Sequence, residues 1–211
     1  MDVDILPGTD VTRDHWHWRP GWGPGRRMYT MHLTLQDAPS AEATIRRVQE
    51  SLAEVDAVRP VPVQGLHLTM AGVGFTDEVA AGQLHEVSQQ VFARAEAIES
   101  TPLVLDSMLI ASEAVMFCAR EESWLEELLT IQREAVDQVV GRREWGPFHP
   151  HVSIAYADAM TAVDEVRDAL EDHVAVLEPV EIERPVLTLM RLGRDRNVYE
   201  WDVVRELSLS R

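Results

Sequence analysis

The chain contains no lysine: all 19 of its basic residues are arginine. That absence excludes a P-loop lysine, a Schiff-base lysine for pyridoxal phosphate, and the lysine nucleophile that ATP-dependent ligases adenylylate. Any phosphate chemistry must run on histidine, arginine, hydroxyls and backbone amides. Cysteine is nearly absent too. The single Cys118, in "EAVMFCA", cannot form an internal disulfide; it fits a reducing cytosol and reads as a small buried apolar residue. No apolar run approaches the ~20 residues a membrane helix needs. The acidic start "MDVDILPGTD" lacks the apolar core of a secretory signal, so a cytoplasmic location is expected. Positive charge is scarce: 36 acidic residues against 19 basic ones give a net charge of −17. Such a chain repels polyanions, which argues against an extended nucleic-acid surface. A short nucleotide, or one RNA end in a locally basic cleft, remains compatible with it.

What is present is enough apolar sequence for a real core: 45% of 211 residues are hydrophobic and only 26% are charged. Residues 1–27, with "DHWHWRPGWGPGRR", lack periodicity and read as an irregular arm rich in Trp, Gly and Arg. Residues 28–211 read as a single domain of alternating strands and helices. "MYTMHLTLQ" (28–36) alternates with period two and predicts a strand. Pro39 and Ser40 open a helix whose stripe is Ile45, Val48, Leu52 and Val55. "LHLTMAGV" predicts a second strand, and Thr76 or Asp77 a helix cap. "PLVLDSMLI" and "EAVMFCA" predict a hairpin around Ala111-Ser112. Ser123 with Glu126 forms a capping-box pattern before a helix that Gly141 ends. "HVSIAYA", a helix over about 161–172, and two long strands near 180–192 and 197–208 complete the chain. Hairpins amid the alternation favour an α+β fold with mostly antiparallel sheets.

One short pattern recurs: "QGLHLTMAGVG" (64–74), "PFHPHVSIAY" (147–156) and the opening strand each hold His-x-Thr/Ser. Residues two apart on a strand share a face. His67, Thr69 and Ala71 then face one way and Leu66, Leu68 and Met70 the other. Likewise His149, His151, Ser153 and Ala155 oppose Val152, Ile154 and Tyr156. Two such strands side by side present two imidazoles and two hydroxyls to one cavity. In-line displacement at phosphorus needs a base and an acid on opposite sides, which histidine provides near neutral pH. Hydroxyls can donate to the non-bridging oxygens where charge develops. Gly65, Gly72 and Gly74 allow close approach to the backbone. A single copy of the pattern is more often just the polar face of a half-exposed strand, and three histidines allow three pairings.

"GLHLTMAGVGF" and "FHPHVSIAY" resemble the paired H-x-T/S signatures of the two-histidine (2H) phosphoesterase superfamily, in particular its 2'-5' RNA ligase-like, cyclic phosphodiesterase branch. The similarity covers most of 28–211. It selects His67 and His151 as catalytic and Thr69 and Ser153 as phosphate-binding, and leaves His32 on a strand that carries no catalytic histidine in the family. Serine in the second motif is a variation that the family also shows; the arm has no family role. The resemblance implies a bilobal, pseudo-twofold fold with mostly antiparallel sheets and a cleft between lobes. It implies action on 2',3'-cyclic phosphates of nucleotides or RNA ends, or on 2'-5' linkages, with no metal and no nucleotide cofactor. Ligation survives the missing lysine, because cyclic-phosphate ring strain can drive joining.

Further candidates are His32, Arg142, Arg143 and Tyr156, with Arg26 and Arg27 as a second arginine pair. Trp16, Trp18, Trp22, Trp145 and Phe148 could stack a base or anchor the arm; Trp124 and Trp201 read as core. Two rivals stay open. His15-x-His17 and His149-x-His151, with a carboxylate such as Asp14, could hold a metal for hydrolysis, though no third ligand lies at a recognisable spacing. A non-catalytic nucleotide-binding module would keep the same cleft.

Overall fold

A computed structural model describes residues 1–36 and 38–209. Its strands are β1 (Val3–Ile5), β2 (Met28–Thr34), β3 (Val58–Pro60), β4 (His67–Phe75), β5 (Leu103–Ile110), β6 (Ala114–Ala119), β7 (His151–Ala157), β8 (Val180–Ile182), β9 (Val186–Gly193) and β10 (Glu200–Ser208). The helices are α1 (Pro39–Ser51), α2 (Ala81–Ala95), α3 (Ser123–Val139) and α4 (Val163–Val174). The fold is α+β. The sheet runs β1-β5-β6-β7-β4-β2-β9-β10, with β3 beside β7 and β8 beside β5. Every pairing is antiparallel except β1 with β5.

The sheet is built of two halves that meet at one antiparallel pair, Leu68 opposite Val152. Helices cover it crosswise. α1 leaves β2 yet packs with α4 against β8 and β7, whereas α3 leaves β6 yet packs with α2 and against β4. Each half thus receives a helix from the other. The apolar stripes predicted from sequence supply this packing: Ile45 and Val48 on α1, Val87 and Val91 on α2, and Val166 and Leu170 on α4 are all buried. They join the inward residues of both half-sheets in a single hydrophobic cluster.

The helix starts differ from expectation. Ser123 is the first residue of α3 and Glu122 the cap, without any side-chain capping bond, so the Ser123–Glu126 box does not form. α2 begins at Ala81, beyond Thr76 and Asp77. Asp77 is held instead by Arg26, and the Ala80 N–H donates to Gln83 Oε1 at 3.0 Å. Gly141 does follow α3, with φ of 136°, as a left-handed stop. Residues 1–27, expected to be irregular, contain β1. Further on, Val11 bridges Ala162, and Thr12 Oγ1 donates to the Ala159 carbonyl at 2.8 Å.

Three bulges decide which side chains share a face. On β4, Thr69 and Ala71 pair with the adjacent residues His32 and Met31, so Met70 is an extra residue; Val73 is a second one. On β7, Ser153 and Ala155 pair with Met116 and Val115, leaving Ile154 extra. An extra residue inverts the alternation beyond it. Ala71 and Ala155, expected beside the histidines, therefore lie buried in the core, and Gly72 and Tyr156 take the other face. Trp201, read as core, is only half buried, edge-on to the His67 ring at 5.8 Å.

Candidate functional site

A cleft of about 560 Å³ opens over the sheet face opposite the helices, where β4, β7 and β2 run side by side. His67 and Thr69 line it from β4, His151 and Ser153 from β7, and His32 from β2. The Leu68–Val152 pair lies between the two motifs. Extending its antiparallel register sets His67 toward Ser153 and Thr69 toward His151, a two-fold arrangement of imidazole and hydroxyl.

The two imidazoles are held alike. His67 Nδ1 lies 2.7 Å from the Gly65 carbonyl, and His151 Nδ1 lies 2.7 Å from the His149 carbonyl, each two residues upstream. A carbonyl only accepts, so Nδ1 carries the proton in both rings and Nε2 is the atom left for the cleft. The accepting carbonyls come from different entries, Gly65 at the end of the 3-10 turn Val63–Gly65 in one case and His149, just before Pro150, in the other. The sequence folds each motif so that the backbone itself fixes the tautomer.

The environments differ. His67 is buried, and its pKa is lowered to about 4, first by desolvation and then by the neighbouring His151, against the raising effect of the Gly65 hydrogen bond. His151 is half exposed. His32 lies fully buried under His67, its ring stacked at 4.5 Å and 14° from parallel. Burial holds His32 well below its ordinary value, and its Nδ1 has no hydrogen-bond partner among the described residues. The Thr69 hydroxyl is exposed to the cleft and the Ser153 side chain half exposed.

Tyr156 lines the cleft because of the Ile154 bulge, against the plain alternation that set it among Val152 and Ile154. It stacks on His15 at 4.0 Å. Burial pushes the phenols of Tyr156 and Tyr199 up, so both are O–H donors at neutral pH. Arg142 and Arg143 do not line the cleft. Arg143 instead ties the segment before β7 to β4, donating to the Val73 carbonyl at 3.0 Å and lying near Trp145. Trp145 and Phe148 are likewise elsewhere. Arg26 is engaged by Asp77 and Glu78, and Arg27 by Asp195 at 2.5 Å.

Sequence reasoning missed the guanidinium groups that are in the cleft: Arg13, Arg19 and Arg194. Nothing in their local pattern distinguishes them from surface arginines. The arm supplies two of them together with His15 and Trp22, so it forms a wall of the site. The two H-x-H pairs do not act as pairs. His15 Nε2 meets Tyr199 Oη at 3.0 Å, whereas His17 Nδ1 is 2.9 Å from the Asp14 carbonyl at the surface. His15 Nδ1 is 3.5 Å from Glu113 without hydrogen-bond geometry, and burial lowers its pKa to about 3. Among the described residues, no three His, Cys, Asp or Glu side chains converge as a metal site.

A family profile, that of the 2'-5' RNA ligase superfamily, matches residues 35–196. No curated protein matches the chain. Among solved structures, Escherichia coli LigT superposes with a TM-score of 0.60 at 19% identity, over 88% of this chain and 99% of LigT. The same figures hold for LigT complexed with 3'-AMP. The Thermus thermophilus protein TT0787 superposes with a TM-score of 0.62 at 18% identity, over 86% of this chain and 97% of its own.

Proposed function

The chain belongs to the 2'-5' RNA ligase superfamily, and on that premise we propose that it is a metal-independent phosphodiesterase. Its substrates are 2',3'-cyclic phosphates, on nucleotides or RNA ends, or 2'-5' phosphodiester linkages. The observation that carries this reading is the pair of imidazoles in one cleft, each with Nδ1 on a backbone carbonyl and Nε2 free. His67, kept neutral by burial, is the base: its Nε2 takes a proton from water, or from a ribose hydroxyl. The oxygen so freed attacks phosphorus, and the P–O bond to one ribose oxygen breaks. His151, nearer to solvent, is the acid: in its imidazolium form it keeps Nδ1–H on the His149 carbonyl and gives its Nε2 proton to that leaving oxygen, ending neutral as His67 ends protonated. Thr69 and Ser153 donate hydrogen bonds to the non-bridging oxygens, whose charge grows in the transition state. Release of the 2'-oxygen from adenosine 2',3'-cyclic phosphate yields 3'-AMP, the ligand in one LigT structure.

The test is a panel of nucleoside 2',3'-cyclic phosphates, RNAs ending in one, and 2'-5'-linked dinucleotides, incubated with excess EDTA. Turnover of at least one of them is expected, with products assigned as 2'- or 3'-phosphates. Turnover that appears only on adding a divalent metal would replace this reading with a metal-dependent one. Binding without turnover would make the protein a nucleotide-binding module.

A further inference from the structure

Arg194 follows β9 and is 3% exposed, yet among the described residues no carboxylate lies within ion-pair distance of it. Its Nη2 donates to the His15 carbonyl at 2.7 Å, and its Nε is buried without a hydrogen-bond partner among the described residues. A buried charge left unpaired is costly. The rings of Trp16, Trp22 and Tyr199, at 5.5, 6.0 and 5.9 Å, lie at the outer limit of useful cation–π distance and offset only part of that cost. The other two arginines of the cleft, Arg13 and Arg19, are both engaged by Glu113, which among the described residues is the only carboxylate lining it. In a chain of net charge −17, the cleft is therefore locally cationic, and one of its cations has no carboxylate partner among the described residues.

The position of this cation fits a ligand with two anionic groups. The Arg194 guanidinium lies 5.9 Å from the Tyr199 ring, and the His67 ring lies 5.7 Å from it on an edge-to-face contact. Tyr199 is thus a common neighbour of the buried arginine and of the proposed reaction centre. We propose that Arg194 anchors a second anion subsite, one that holds a phosphate on the 5' side of the ribose whose cyclic phosphate lies between His67 and His151. This rests on the phosphodiesterase reading above. A guanidinium fork suits two oxygens of a phosphate, and the surrounding aromatic rings keep water from competing. The second phosphate comes either from a 5'-phosphomonoester on a mononucleotide or from the next phosphodiester of an RNA end.

Three substrates separate these sources: adenosine 2',3'-cyclic phosphate, its 5'-phosphorylated form, and a dinucleotide ending in a 2',3'-cyclic phosphate. We expect kcat/KM about tenfold higher for one or both of the last two, expressed mainly in KM, and which of them gains identifies the source. Arg194→Met should collapse that ratio toward one, and Arg194→Lys should give an intermediate ratio. A purely structural role would lower all three rates together and leave the ratio intact, which would overturn the proposal. Wild-type rates that are equal on all three would overturn it as well, and need no variant to fold. A separate arm titrates tryptophan fluorescence with adenosine 3'-phosphate and adenosine 3',5'-bisphosphate. Tighter binding of the bisphosphate in a protein that turns nothing over would sustain the subsite while sinking the phosphodiesterase reading; equal binding beside normal turnover would do the reverse.

Discussion

Leu68 and Val152, both fully buried, face each other across β4 and β7 where the two half-sheets join. One residue before and one after each of them stand the four groups of the proposed site. The core thus holds the motifs in register from beneath, while their polar side chains meet above.

The first prediction concerns the two imidazoles. His67→Ala and His151→Ala should each lower turnover of a 2',3'-cyclic nucleotide by ~10²–10⁴-fold, the usual general acid–base contribution. Thr69→Ala and Ser153→Ala should each cost about 10²-fold, in kcat more than KM. Steady-state rates by chromatography of the products decide it; wild-type rates in both histidine variants would remove His67 and His151 from the mechanism.

Acid should unfold this protein unusually steeply. Burial holds His67 at about 4, His15 at about 3 and His32 well below its ordinary value. An unfolded chain titrates histidine near ~6.5, so above that pH none of the three discriminates between the states. Below it the unfolded chain binds protons that the folded one refuses, and stability falls until the folded values are reached. Three such protons give a slope of up to about 4 kcal/mol per pH unit. Urea midpoints at about pH 7, 6 and 5 measure it, and a midpoint that does not move across this range would contradict the burial of these rings.

His32→Leu separates a supporting role from a catalytic one. The substitution removes a buried ring nitrogen that has no partner among the described residues, and one of the three refused protons. Stability at about pH 5 should rise, and the acid slope should fall to about 2.7 kcal/mol per pH unit. Turnover should drop by ~10-fold or less, because His32 meets the face of the His67 ring and leaves Nε2 free. A loss as large as that of His67→Ala would show that His32 itself handles the substrate.

Two glycines of one strand should respond in opposite ways. Gly74 has φ of 142°, and a Cβ there would come within 2.8 Å of Val79 Cγ2. Gly74→Ala should therefore cost more than about 1 kcal/mol. At Gly72 the nearest atom to an added Cβ is Met28 Sδ at 3.7 Å, an ordinary contact. Gly72→Ala should leave stability within about 0.5 kcal/mol of wild type while placing a methyl group on the cleft floor. Denaturation curves of both variants, with substrate KM for the second, test the contrast.

Much of this was legible along the chain. Strand period two set each histidine beside its hydroxyl, His67 with Thr69 and His151 with Ser153, and helical stripes named the core residues Ile45, Val48, Val87 and Val91. Those are relations over a few residues, fixed by backbone geometry alone. Tyr156 shows where such reasoning stops. A bulge is a property of two strands in register, so the extra residue Ile154 becomes visible only once β6 lies beside β7.

The sequence by itself determined which side chains form pairs, and excluded any chemistry that needs lysine, because both follow from residue identity and local geometry. Tertiary structure decided everything that depends on distant segments meeting. It stacked His32 beneath His67, brought Arg194 and the arm's His15 over the cleft, and left Arg143 outside it. Those positions are set by strand order and by helices crossing between half-sheets, long-range packing that no local pattern encodes.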